Sequence, residues 1–144
     1  MRALPRDRIL AKMIDLAVVF LAAIILPAVI GPLIGFAYSL WGDALHVGQF
    51  HSQSLGKKLF RLRVVQMEDP AKPITAKQSA IRNSPVGLAT FFAIIPVWGW
   101  VILFLVGVPL MALEIYLMLR ADAGYRLGDV MGDTQVVTDT RAGT

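Results

Sequence analysis

Two uncharged runs constrain any fold this chain can adopt. Leu16 to Gly42 is 27 residues without a charged side chain, and Asn83 to Leu113 is 31. As single helices at roughly 1.5 Å per residue they would measure about 40 and about 46 Å, against a hydrocarbon core of about 30 Å. Each is too long for one untilted span. Between them, Lys57, Lys58, Arg61 and Arg63 put four cations into seven residues, a cluster that resists crossing a bilayer. If each run spanned once, the seven cations from Lys57 to Arg82 would lie opposite the basic N-terminal arm. If each run turns back on itself, every Lys and Arg falls on one side, as the positive-inside rule requires.

Both runs contain a suitable turn. Pro27-Ala28-Val29-Ile30-Gly31-Pro32 sits inside the first and Pro96-Val97-Trp98-Gly99-Trp100 inside the second. Each proline removes an amide donor and disfavours helix in the residue before it. The two tryptophans suit the headgroup level, where an apolar ring and a polar N–H are both accommodated. The predicted fold class is an all-α membrane protein with four short transmembrane or re-entrant helices in two hairpins, and a small cytoplasmic β pair. As one domain, the helices run over about 8–27, 32–50, 75–95 and 100–120, with a cytoplasmic basic loop 51–74 and a cytoplasmic tail 121–144. The expected location is the cell (inner or plasma) membrane, multi-pass, with both termini cytoplasmic.

Composition excludes several alternatives. With 56% hydrophobic and 17% charged residues, the 144-residue chain is too apolar for an ordinary soluble domain. The net charge of +4 does not point to nucleic acid, because the cations crowd the ends of the apolar runs instead of forming a solvated face with interleaved aromatics. There is no cysteine, hence no disulfide, thiolate nucleophile or Cys-based metal site. The first run follows Arg2, Arg6, Arg8 and Lys12 as a signal peptide would, but Asp15 interrupts its start and no small-residue cleavage site precedes Pro27. A permanent anchor is expected.

The polar segments predict local structure. Leu62-Arg63-Val64-Val65-Gln66 and Asp133-Thr134-Gln135-Val136-Val137-Thr138 are β-rich, and each is too short to be stable alone, so they are expected to pair. Residues 139 to 144 read as a frayed end. Thr75 is a fair N-cap for a basic amphipathic lead into the third helix, with Lys77 and Arg82 near the headgroups. Gly31-x3-Gly35 is expected to mark the outer turn, whereas Ala22-Ala23 would let helices approach closely.

The chemistry lies in charges at awkward depths. Asp15 opens helix one, Asp43 closes helix two, Arg82 opens helix three, and Glu114 lies about two turns inside the end of helix four. An ionised side chain at mid-bilayer costs about 2.5 to 3.5 kcal/mol on insertion scales, so such groups pair or face a polar cavity. One reading is an ion-pair collar in which Arg8, Arg82 and Arg126 neutralise Asp15, Asp43, Glu114 and Asp129. Asp15 would then face Arg8 on its own helix or Arg82 across the bundle. The other reading makes Asp15 and Glu114 exchangeable carboxylates in an Na+ or H+ path. Lys57, Lys58, Arg61 and Arg63 are expected to meet anionic lipid headgroups. Asp43, His46 and His51 do not have metal-site spacing, so no metal or other cofactor is expected. The serines lack a His-Asp context, and no enzyme is predicted. Four short helices enclose a path poorly, so a homo-oligomer is plausible. Na+ or H+ transport is the leading functional expectation, and the alternative is a non-transporting membrane scaffold.

These motifs together carry a resemblance. Arg8 followed by Ile14-Asp15, Ser54-Leu55-Gly56-Lys57-Lys58 with Leu62-Arg63-Val64-Val65, Ala80-Ile81-Arg82-Asn83, and Arg126-Leu127-Gly128-Asp129 with Thr134-Gln135-Val136-Val137 resemble the RDD family of small, mainly bacterial membrane proteins. The family's eponymous Arg and two Asp fall on Arg8, Asp15 and Asp129. The resemblance implies a membrane protein of a family for which transport has been proposed, some members being similar to cation/proton antiporters. Two departures stand out. Phe60-Arg61 replaces the family's usual Leu-Gly, and Gly132-Asp133-Thr134 replaces its usual Ala-Gly-Thr.

Overall fold

A computed structural model describes residues 3–27, 29–46, 51–120 and 125–140. Helix α1 (Pro5–Ile25) starts with Pro at its first position, where the missing amide costs nothing. It stops because Pro27 forces Leu26 into an extended conformation, φ −88° and ψ 160°. Helix α2 (Ile30–Trp41) returns alongside α1 and ends in a 3-10 turn at Gly42–Ala44. The second helix was expected to run from 32 to 50. It begins earlier and stops before Asp43, and the rest of that expectation, 47–50, lies outside the described residues. So do Ala28 of the first turn, residues 121–124 after the last long helix, and residues 141–144.

Gly31 and Gly35 do not form the outer turn. Both lie in α2 facing α1, and a Cβ on Gly31 would stand 2.3 Å from the Ala22 carbonyl oxygen. The stripe is a helix contact, the use to which close-packed membrane helices put small residues at this spacing.

Helix α4 (Ala76–Phe92) opens on a capping box. The Gln78 amide donates to Thr75 Oγ1 at 3.2 Å, and the Thr75 amide donates to Gln78 Oε1 at 3.0 Å. Pro85 inside this helix cannot donate to the Ile81 carbonyl. Ser84 Oγ donates to that oxygen instead, at 2.8 Å. The second turn falls inside its expected stretch, Pro96 to Trp100, and is tight. Val97 has φ 62° and ψ −71°, and the Trp98 amide donates to Pro96 O at 2.8 Å, which together make a γ-turn. The chain then runs as α5 (Trp98–Ile102), a π turn at Leu103–Gly107, and α6 (Val108–Arg120). Pro109 would clash with the carbonyl four residues back in a regular helix, and the wider π turn just before it relieves that clash. Taken together, Trp98–Arg120 is 23 residues and is the one described helical stretch long and apolar enough by itself to cross a membrane.

The predicted strands pair. β1 (Leu62–Gln66) lies antiparallel to β2 (Thr134–Thr138), with Val64 opposite Val136. Each strand follows a short helix, α3 (Leu55–Leu59) and α7 (Leu127–Met131), and the two units match. In both, a Leu-Gly pair opens the short helix and its glycine presses against a long helix. A Cβ on Gly56 would be 1.9 Å from Ala11 O, and one on Gly128 would be 1.9 Å from Arg82 O. In both, a residue with positive φ joins helix to strand, Arg61 at 52° and Asp133 at 49°. Their carbonyls extend the ladder reciprocally, Asp139 N donating to Arg61 O and Met67 N to Asp133 O. The fold is therefore two similar halves, each a helical hairpin followed by a short helix and a strand, joined through their strands about a local two-fold.

Candidate functional site: a buried ion-pair collar

The interior at the sheet end of the bundle is charged, while the outside is apolar. Asp43, Arg82, Glu114, Arg126 and Asp129 are all at most 5% exposed, whereas Ile24, Ile25 and Leu105 are 70% exposed or more. This distribution suits a hydrocarbon solvent.

Arg82 sits at the centre. Its Nη2 lies 3.0 Å from Asp129 Oδ1, its Nε 3.2 Å from Asp43 Oδ2, and its Nη1 donates to Thr134 Oγ1 at 3.1 Å. The expectation that it meets headgroups is wrong, because α7 and β2 cover the end of α4 on which it stands. Arg8, from α1, pairs with Asp129. Arg126, at the N-cap of α7, bridges Asp129 and Glu114, each at 3.3 Å, and donates to Asn83 Oδ1 at 2.9 Å. Asn83 in turn donates to Asp43 Oδ2 at 3.1 Å, so the two halves of the collar share one hydrogen-bonded network.

Lys57 departs from its expected place. It is 7% exposed and pairs with Asp43, because docking Gly56 on α1 points the next side chain inward. Lys58 is half-buried, Arg63 lies 3.9 Å from Asp139, and Arg61 is exposed. His46 bonds the Ala44 carbonyl and Ser52 Oγ.

Asp15 was expected to face Arg8 or Arg82 and does neither. It accepts from Tyr38 OH at 2.7 Å, Ser54 Oγ at 2.6 Å and the Gly56 amide at 2.8 Å. Three neutral donors hold it where a guanidinium was predicted, and they fix the start of α3 against α1 and α2. Tyr38, Ser54 and Asn83 were thus missed as site residues, and Lys57, expected at the headgroups, belongs to the collar instead. Ser54 and Lys57 flank the Leu-Gly motif, which was the available signal.

Among the collar groups outside the long helices, burial alone would raise both carboxyls. At Asp129, Arg82, Arg126 and Arg8 overcome burial and bring the carboxyl down to about 2. At Asp43, Lys57, Arg82 and Arg126 likewise outweigh burial and hold the carboxyl well below its usual range.

The RDD family model matches residues 2–133, which takes in every charged residue of the collar. The chain belongs to the RDD family. No curated protein and no solved structure matches it. Membership of the family and the apolar 98–120 helix make this RDD protein a membrane protein.

Proposed function

We propose that this RDD protein crosses the cell membrane as two helical hairpins, both termini cytoplasmic, and serves as a non-enzymatic, non-transporting scaffold whose collar fixes the helices. The observation that carries this reading is the polarity of the interior. Beyond the collar, toward the hairpin turns, the space between the helices is a cavity of about 120 Å3 with no charged side chain in its wall. An ion leaving the collar in that direction would meet a mostly apolar wall, including Leu16, Val19 and Leu103, with no charged group to replace its water, at a cost of several kcal/mol. The strands, the short helices and the cationic segment all lie at the opposite end, which supports placing that end in the cytoplasm. Arg61 and Lys58, on its rim, would meet anionic headgroups.

One observation favours Na+ or H+ transport as the second reading. Among the described residues, Glu114 Oε1 is buried without a hydrogen-bond partner, which leaves a carboxylate oxygen of the collar to take up an ion or a proton. Purified protein in liposomes under an imposed Na+ or pH gradient separates the two. The expected result is no dissipation above empty liposomes, together with a fixed partner recovered by crosslinking in the native membrane. Dissipation that Glu114→Gln abolishes would establish transport instead.

A further inference from the structure

Lys12 is the collar cation that the ion pairs leave out. It stands on α1 and lines a second cavity, of about 30 Å3, together with Arg8, Lys57, Arg82, Glu114 and Arg126. Among the described residues no carboxylate lies within 4.0 Å of its ammonium group, while the other four cations are all paired. Counting Lys12, five cations surround four carboxylates, Asp15 included, so the site is short of one negative charge. The cavity wall also holds Glu114 Oε1, an acceptor with no hydrogen-bond partner among the described residues.

This charged cavity adjoins the larger apolar one. Val86 and Met111 line both. Both border the seam between α1 and the α5–α6 helix, where Met13, Phe20, Phe104 and Val108 are 39% exposed or more. The combined space is thus cationic at the sheet end, apolar toward the hairpin turns, and flanked by side chains that face lipid. That polarity matches a lipid in the leaflet on the collar's side.

We propose that the two cavities together bind one phospholipid, its phosphate against Lys12, a headgroup O–H or N–H donating to Glu114 Oε1, and one acyl chain in the apolar cavity between α1, α4 and α6. The phosphate supplies the missing negative charge, and a charge-assisted hydrogen bond from an otherwise unpaired ammonium is among the stronger contacts available. The donor satisfies the orphan carboxylate oxygen, whose burial would otherwise be costly. The chain fills a mostly apolar space in which the Thr90 hydroxyl is already hydrogen-bonded to Gly87 and Ser39, leaving little to hold water. This inference does not depend on whether the protein moves ions, since it concerns occupancy and not flux.

The test uses the full chain, delipidated in a maltoside detergent, with bound lipid counted by native mass spectrometry and thermal stability followed in parallel. Phosphatidylethanolamine and phosphatidic acid should each bind one per chain and raise the melting temperature. Phosphatidylcholine, with the same chains and a phosphate but no headgroup donor, should bind roughly tenfold more weakly. Inorganic phosphate should leave the melting temperature unchanged. Lys12→Met should weaken phosphatidylethanolamine roughly tenfold or more, and Ala93→Phe, which fills the apolar cavity, should do the same while leaving Lys12 in place. Equal binding of all three lipids, or a stabilisation by inorganic phosphate alone, would overturn the proposal. So would retention of tight binding in both variants. The headgroup comparison on the unaltered protein decides the matter even if a variant fails to fold.

Discussion

Among the described residues, the hydrogen bonds that Asp15 accepts all come from neutral donors, which makes its removal a different experiment from the removal of a paired charge. Asp15→Asn replaces one acceptor oxygen with a donor that faces Ser54, Tyr38 or the Gly56 amide. The expected loss is roughly 2 to 4 kcal/mol, read as a lowered melting temperature in detergent. Adding Arg82→Gln should deepen the loss, because Arg82 belongs to Asp43 and Asp129. Asp43→Asn, in contrast, should be partly restored by Lys57→Met, since both members of a buried pair then leave together. Partial rescue of Asp15→Asn by Arg82→Gln would contradict the observed pairing. The pH dependence has a definite sign. Asp43 and Asp129 are depressed in the folded protein, so their contribution is fully present above their unfolded value near 3.8 and is lost as pH falls through the folded values. Thermal stability should be level from about pH 7 to about pH 5 and fall below about pH 4, with Asp129 alone accounting for roughly 2 kcal/mol. That Glu114 meets an arginine of the collar was legible in the sequence, because a carboxylate at that depth needs a partner, but which arginine, Arg126, was not. The partners of Asp15 were not, because they come from a second long helix and from a five-residue helix too short to show any periodicity.

The junctions between short helix and strand carry the clearest prediction for individual elements. Arg61 and Asp133 occupy left-handed backbone, at φ 52° and 49°, and they fall at the two places where this sequence departs from the family's usual glycine. A residue with a Cβ costs roughly 1 to 2 kcal/mol in that conformation, less for Asp, whose short polar side chain tolerates it. Arg61→Gly should therefore stabilise the protein by about 1 kcal/mol, and Asp133→Gly by less, after the larger entropy loss of glycine is set against the relief. Denaturation of both variants in the same detergent would check the order. The strands were readable because two β-branched runs, each too short to stand alone, needed partners. The reach of α2 was overestimated because the expected helix was carried beyond the end of the uncharged run at Gly42, to residue 50. The chain instead tightens at Gly42 to bring Asp43 under Lys57 and Arg82. The π turn before Pro109 was not legible, since proline in a helix can be met by a kink, a bulge or a side-chain donor, and at Pro85 the same chain uses the last of these.

At the scale of the whole molecule, the charge distribution sets the topology to be tested. Reporters placed near Pro70 and after Arg141 should both read cytoplasmic, and a periplasm-active reporter at Pro70 would exclude the two-hairpin arrangement. The sequence pointed to a charged collar, but the amphipathic space needed the helices in place, because its wall is assembled from both halves, with α1, α2 and Lys57 of α3 on one side and α4, the α5–α6 stretch, Arg126 and Val136 on the other. The strand pairing also bears on how such a protein is made. β1 joins the first half to the second through a partner that emerges last among the described elements, and Asp129, which Arg8 and Arg82 share, emerges just before it. While the chain leaves the ribosome, the first hairpin must therefore wait with an open strand edge and a cation lacking its counter-charge. Biogenesis of this fold ends in a single late closure, and a chain cut short before Asp129 would expose both defects to the cell's quality control.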